Sequence, residues 1–457
     1  MKTPTPLTRR TFTKLGLGAG LGWLGGLGQL PLARSAVSSD YKALVCIFLA
    51  GGNDGHNTII PLTAGGSPVA DYVNSRPTLA LPSTNAKILL PIAVAQPNPY
   101  GSAFGLHPSL AKIAELYAAG RAAVIANTGL LDAPITRAQF QSKNTGNSVA
   151  MFSHSDQTNL VQTGLATGGD GSGWGGRLAD LAQPAGSELP LSCVSLDYSS
   201  VFATGRRVQP TRIIPGNNFA QYALGYLGPS DPRVMAQTNL VAQGTQLRLV
   251  DKANETMQRA IELNKILTSA GTATPLNVFP TSPIGQQLGE VARIIKISGN
   301  LGLSRQVFYC KHFGYDTHGG QDWAHARLLA DLDAAVGVFQ KELNDMQAAG
   351  KVTTFTSSEF GRTLQPSGTG SDHGWGGHQF VIGGAVNGGK FYGRFPTLVL
   401  GGPDDAGTRG VLLPTTSVAQ VGATLAAWFG APAAAMGNLF PNLAAFPADQ
   451  QNLGFML

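Results

Sequence analysis

Residues 42–57 read KALVCIFLAGGNDGHN. The first nine, 42–50, are apolar almost throughout, which marks a strand buried on both faces. The run stops at Gly51 and Gly52, and Asp54 follows directly past the strand. Working outward, the same alternation recurs. HPSLAKIAELYAAG (107–120) has helical spacing closed by Gly120, and RAAVIAN (121–127) is the next strand. Helical patterns follow near 148–163 and 174–183, then a strand at LSCVSL (191–196). Residues 231–269 and 283–299 carry long amphipathic patterns. RQVFYCKHF (305–313) is a strand, 322–349 a helix ending at Gly350, and KVTTFTSS (351–358) a strand. HQFVIGG (378–384) and TLVLGG (397–402) are shorter strands, and TTSVAQVGATLAAWFG (415–430) is a late helix with a threonine N-cap. Strand, helix, strand in series predicts a doubly wound α/β fold, its sheet mainly parallel and its helices on both faces.

The chain has 457 residues, 43% of them apolar, enough to bury a large core. Its 59 glycines have no short period and predict many tight loops. The formal charge of +6 is concentrated at the start: residues 1–35 hold Lys2, Arg9, Arg10, Lys14 and Arg34 and no acid. The remainder has 27 basic against 26 acidic side chains, which excludes a nucleic-acid footprint. LTRRTFTKLGLGAGLGWLGGLGQL pairs two arginines with a glycine-diluted apolar stretch, and small residues follow near Ser35. Residues 1–35 are therefore read as a twin-arginine signal peptide and 36–457 as one domain. The expected location is periplasmic or secreted, the export partner the twin-arginine translocase, and no permanent membrane span is expected. Cys46, Cys193 and Cys310 form no C-x-x-C pair and are expected as buried free thiols.

Open α/β sheets bind ligands at the carboxyl ends of their strands. Asp54 follows the first strand, Asp316 and His318 follow 305–313, and Glu359 follows 351–358. Asp372, His373 and His378 come within a short loop of that last strand, in SDHGWGGHQF (371–380). Four carboxylates and three imidazoles thus converge on one rim. Without a cation, four crowded carboxylates would repel one another. Mixed Asp/Glu/His sets suit divalent ions, Zn or Mn first and Ca or Mg next, and six or seven such ligands can hold two ions. Of the other histidines, His325 is expected as a surface or packing residue, His312 within a strand and His107 at a helix start; His56, near the rim, is left outside the set.

LVCIFLAGGNDGHNTIIPL, YDTHGGQ, TSSEFGRT, DHGWGGHQFVIGGAVNGGKFYG and LLPTTSVAQVGATLAAWFG resemble the exported bacterial family labelled domain of unknown function 1501, from about residue 42 to 446. That family is similar to the alkaline phosphatase and sulfatase superfamily. The resemblance implies an alkaline-phosphatase-like fold, two metal sites and a hydroxyl or modified-cysteine nucleophile. It implies metal roles for Asp54, for Asp316 with His318, for Glu359 or Asp372 with His373, and for His378. Phe360 stands where the superfamily has a histidine after the acid. Ser153, ahead of a helix-like run, is the first nucleophile candidate and Thr136 the second; Arg362 or Arg137 is the candidate anion holder. The Cys/Ser-x-Pro-x-Arg signature of type I sulfatases is missing. The expected activity is a metal-dependent hydrolase or transferase acting on a small-molecule or glycan ester of phosphate or sulfate. The alternative is a degenerate member that binds metal or anionic glycan without turnover, in surface assembly.

Overall fold

A computed structural model describes residues 40–81, 89–94, 98–142, 152–165, 169–183, 190–198, 200–215, 231–269 and 274–457. The signal-peptide reading of residues 1–35 lies outside the described residues, as does the start, at 148–151, of the helix expected to run to 163.

Among the described residues the main sheet has nine strands: β1 Lys42–Ala50, β2 Ala122–Gly129, β3 Cys193–Ser195, β4 Thr211–Arg212, β5 Arg305–Phe313, β6 Val352–Ser357, β7 Gly377–Gly383, β8 Phe391–Tyr392 and β9 Thr416–Ser417. Their order is β8-β2-β7-β6-β1-β5-β3-β4, with β9 beside β2. β1 lies at the centre, parallel to β5 from Lys42↔Arg305 to Ala50↔Phe313 and parallel to β6 from Ala43↔Val352 to Phe48↔Ser357. Among the described strands only β7 runs antiparallel, between β2 and β6.

The apolar run of β1 is explained by what covers it. Ala43, Val45, Ile47 and Leu49 pack into one core and Leu44, Cys46 and Phe48 into another. The first core is closed by α1 (Ala111–Ala118), α4 (Pro283–Ile297) and α5 (Gln321–Asp345), through residues such as Ile113, Leu288, Val291, Leu329 and Val336. The second is closed by α2 (His154–Thr163), α3 (Trp174–Ala182) and α6 (Val418–Phe429), through Val161, Trp174, Leu178, Leu425 and Phe429. Each large side chain so buried is worth about 1.5–3 kcal/mol, so neither face of β1 tolerates a polar residue. The fold is therefore doubly wound α/β with helices on both faces. The three cysteines are buried and free.

Two expectations of detail are corrected. TLVLGG (397–402) forms no strand. Pro396 and Pro403 flank it, and Leu398 donates its N–H to Tyr100 Oη and gives its carbonyl to Ser75 Oγ, so side chains replace a ladder. The cap of α6 is Ser417, not a threonine; Thr416 still belongs to β9, and Ser417 forms a capping box with Gln420. His325, expected at the surface or in packing, is buried, and its Nε2 meets Asn53 Oδ1 at 3.0 Å. Among the described residues no helix is long and apolar enough to cross a membrane.

Candidate metal centre

β1, β5 and β6 end at one rim, and antiparallel β7 begins there. The loops leaving β1 and β5 touch. Gly51 has φ 121°, and a Cβ there would lie 2.2 Å from Asp316 N, so only glycine lets the two backbones approach. Past β6 the chain makes a hairpin of Arg362–Ser367 and Gly370–His373, with Arg362 opposite His373. Gly370 is required there too: its Cβ would lie 2.2 Å from Thr317 O. The hairpin thus rests against the segment that carries Asp316 and His318.

Three imidazoles meet Asp316 at this junction. Its Oδ1 is 3.0 Å from His318 Nε2, 3.4 Å from His373 Nε2 and 3.4 Å from His154 Nε2. The Nε2 atoms of His318 and His373 are 3.0 Å apart. Each ring turns its other nitrogen outward to an oxygen. His154 Nδ1 is 2.9 Å from Glu359 Oε1, His373 Nδ1 is 2.8 Å from the Phe152 carbonyl, and His318 Nδ1 is 4.0 Å from Asp372 Oδ1. Carbonyl and carboxylate oxygens only accept, so His154 and His373 donate from Nδ1, and in the neutral ring that leaves the Nε2 lone pair for a cation.

Several side chains hold this arrangement. Glu359 is buried and its Oε1 also accepts the Gly51 N–H at 2.8 Å. Phe152, a bulky residue at φ 75°, aims its carbonyl at His373. Phe360 packs against both His154 and His373, with ring centroids 4.9 and 4.7 Å away. Arg362 is wholly buried. It donates to the carbonyls of Gly51 (2.7 Å) and Ser371 (2.7 Å) and holds Asp316 Oδ1 with both terminal nitrogens at 3.2 Å. Burial alone would raise the Asp316 carboxyl; Arg362, His318 and His154 outweigh it and hold it below the usual range.

The donor set fits a cation. His154 Nε2 is buried and lacks a hydrogen bond, an orphaned atom facing the Asp316 oxygen. Ligand atoms around a tetrahedral zinc with bonds of about 2.0–2.1 Å stand about 3.3 Å apart, close to the 3.0–3.4 Å that separate Asp316 Oδ1 from the three Nε2 atoms and His318 Nε2 from His373 Nε2. A second oxygen on the far ring nitrogen is the usual support of a metal-bound histidine. Among the described residues two groupings, His154–Asp316–His373 and His318–Asp372–His373, each bring their own ligand atoms within 4.8 Å of one another.

The seven residues expected to share one centre divide. Asp316, His318 and His373 meet there; Asp372 borders it and Glu359 supports it from behind. Asp54 and His378 lie elsewhere. Asp54 is fully buried and caps the short helix Gly55–Thr58. It pairs with Arg76 Nη2 at 2.5 Å and accepts from Gln321 Nε2 and the His56 N–H. Burial would raise its carboxyl, but Arg76 outweighs that and holds it low. Arg76 in turn donates to the carbonyls of Thr363 and Leu364, and Gln321 accepts from Ser371 Oγ, so this buried network props the hairpin from below. His378 stacks on Phe395 at 4.8 Å and its Nδ1 accepts the Asn127 N–H. Burial, then His56, pushes its pKa down to about 3.

The three expected catalytic side chains are placed as follows. Arg362 is occupied by Asp316 and backbone carbonyls. Ser153 is the N-cap of α2, its Oγ accepting the Asp156 N–H. Thr136 caps the helix Arg137–Gln141 in a capping box with Gln139. Arg137 donates to the carbonyls of Asp405 and Gly407. His154, the first residue of α2, is the candidate donor outside the seven expected from the sequence. Its signal was weak, a histidine opening an ordinary capped helix beside the serine that drew attention.

A family model described as protein of unknown function (DUF1501) matches residues 41–405. The chain belongs to the DUF1501 family. No curated protein matches it. Among solved structures, the PsFucS1 sulfatase from Pseudoalteromonas sp. is similar at TM-score 0.31 and 8% identity, covering 84% of the DUF1501 chain and 68% of its own. Ps i-CgsB in complex with k-i-k-neocarrahexaose is similar at TM-score 0.33 and 10% identity, covering 91% and 75%. At these scores the likeness carries nothing about the chemistry of the centre; the side chains themselves do.

Proposed function

We propose that this DUF1501 chain is an exported, metal-dependent hydrolase of a phosphate or sulfate ester, with a mononuclear centre on His154, Asp316, His318 and His373. The observation that supports it is the common orientation of three imidazoles, Nε2 inward to one carboxylate oxygen and Nδ1 outward to an oxygen. Three nitrogens and one oxygen suit zinc better than calcium or magnesium, which take oxygen ligands. One ion is favoured over two. Both ligand groupings use His373, whose Nδ1 is taken by the Phe152 carbonyl. Asp54 and His378 are committed to Arg76 and Asn127.

A divalent ion in this set supplies Lewis acidity, polarising an ester oxygen and lowering the pKa of water. The chain supplies position. Glu359 and the Phe152 carbonyl fix two tautomers, Arg362 fixes Asp316, and Phe360 packs behind the rings. Asp316, His318 and Asp372 are about half exposed, so a substrate reaches the centre from solvent. Among the described residues no serine or threonine hydroxyl hydrogen-bonds to the four donor atoms, which favours attack by water over a side-chain nucleophile. The same observation supports the second reading, a binder without turnover.

The test is hydrolysis of phosphomonoesters, phosphodiesters and sulfate esters by metal-stripped and zinc-reloaded mature protein. Activity that appears only on reloading supports a hydrolase. Zinc binding with no turnover across the panel supports the binder.

A further inference from the structure

Arg409 stands at the mouth of this centre on a loop built to hold it. Asp405 is fully buried, and its two oxygens accept four backbone N–H groups, from Gly401 (2.9 Å), Gly407 (2.9 Å), Gly410 (2.8 Å) and Val411 (3.1 Å). Arg137 locks the loop from outside through the carbonyls of Asp405 (2.8 Å) and Gly407 (2.9 Å). The loop is tied to the ligand-bearing hairpin: Gln365 N–H donates to Arg409 O at 3.1 Å and Leu364 N–H to Gly410 O at 3.0 Å. Gly410, at φ 76°, presses against Leu364, where a Cβ would lie 2.3 Å away. The backbone of Arg409 is thus fixed relative to His373, on the opposite strand of that hairpin.

Its side chain is treated differently from that of Arg362. Arg362 is fully buried with its terminal nitrogens taken, whereas Arg409 is 48% exposed. The contact recorded for its guanidinium is a long one, Nη1 to Asp372 Oδ2 at 3.4 Å. The other oxygen of Asp372 faces His318 Nδ1 at 4.0 Å. The cation is therefore one carboxylate away from the centre, with donors left over.

We propose that Arg409 is the anion-binding residue of this site and that its ligand is a tetrahedral oxyanion ester, held by paired guanidinium donors while its reacting oxygen faces Asp316 and the three histidines. The rigid loop supplies the preorganisation that a long arginine on a mobile loop would lack. This assignment rests on the metal-centre reading and deepens it, because it names the residue that holds the anionic group of the ester.

The test compares wild type, Arg409→Ala and Arg409→Lys in two titrations. The first, with zinc, is expected to give equal affinity in all three, since Arg409 touches none of the four donor atoms. The second titrates zinc-loaded protein with inorganic phosphate and, in a separate arm, inorganic sulfate. Arg409→Ala is expected to weaken oxyanion binding by tenfold or more, and Arg409→Lys by less, because lysine keeps the charge but loses the fork. The arm with the larger loss identifies the ester class. Oxyanion binding by Arg409→Ala equal to wild type, with zinc binding intact, overturns this proposal alone, as does a zinc-loaded wild type that binds neither anion. A wild type that binds no zinc overturns the metal centre and this proposal with it.

Discussion

Replacing Glu359 by glutamine should cost metal affinity while leaving the fold in place. Glu359 Oε1 accepts both the Gly51 N–H at 2.8 Å and His154 Nδ1 at 2.9 Å, and Oε2 accepts from Ser358 Oγ at 3.2 Å. A glutamine carbonyl placed at Oε1 keeps both bonds there, and its amide can donate to Ser358 Oγ, so the packing survives. What is lost is charge. A hydrogen bond to an ionised partner is worth about 1.5–3 kcal/mol against about 0.5–1.5 kcal/mol between neutral groups. The difference, about 1–1.5 kcal/mol, is the support Glu359 lends to a His154 that shares its charge with a cation. At about 1.4 kcal/mol per decade, Glu359→Gln should weaken zinc binding about tenfold, at the lower end of the range for such supporting groups. Competition against a chromophoric chelator measures this directly, and thermal melts in chelator report the metal-free fold. Wild-type zinc affinity in Glu359→Gln would mean that the charge of Glu359 lends His154 no support, and would refute this reasoning.

Further outcomes separate the centre from its surroundings. His373→Ala should lower zinc affinity by more than the tenfold to hundredfold typical of a supporting residue, whereas His378→Gln should leave it within about twofold; equal losses in both would merge the two groups again. Asp54→Asn leaves Arg76 buried without its counter-charge and should destabilise the protein by about 3–5 kcal/mol in denaturant, with folded molecules still binding zinc; a stable variant that binds no zinc would make Asp54 a ligand after all. Burial holds His56, His107, His312 and His325 at pKa values of about 4 and His378 at about 3, below the 6.5 of an exposed histidine. As pH falls the unfolded chain takes up these protons first. Stability is therefore full above about pH 6.5 and declines toward pH 4, by up to about 1.4 kcal/mol per pH unit for each histidine. Urea midpoints of chelator-treated protein at pH 7.5, 6.5 and 5.5 check the sign, and a flat profile would mean these rings are not buried neutral.

The sequence made the sheet legible for a physical reason. β1 is buried on both faces, so its apolar run is unbroken, and glycines mark where the chain must turn at the rim. The position of the rim along the chain was equally plain, because acids and histidines follow β1, β5 and β6 at once. Depth was not. Asp54 and Asp316 both follow a strand, yet Asp54 turns inward to Arg76 while Asp316 stays half exposed. That choice depends on an arginine 22 positions away, which no local pattern announces. His378 was drawn into the set by proximity to His373, but it opens β7, and there it points into the packing of Phe395. His154 was missed because its partners, Glu359 and Asp316, come from the loops after two strands far along the chain. Side-chain ligands gathered from distant segments are visible as types in a sequence, but which of them meet is settled by the tertiary contacts.

His154, Asp316, His318 and His373 are proposed to form one cation site. Zinc stoichiometry of chelator-stripped, reconstituted protein tests it most directly. One ion per chain is expected in the wild type and none in the His154→Ala/His373→Ala double variant; no ion in the wild type, or an undiminished ion in the double variant, would refute the site.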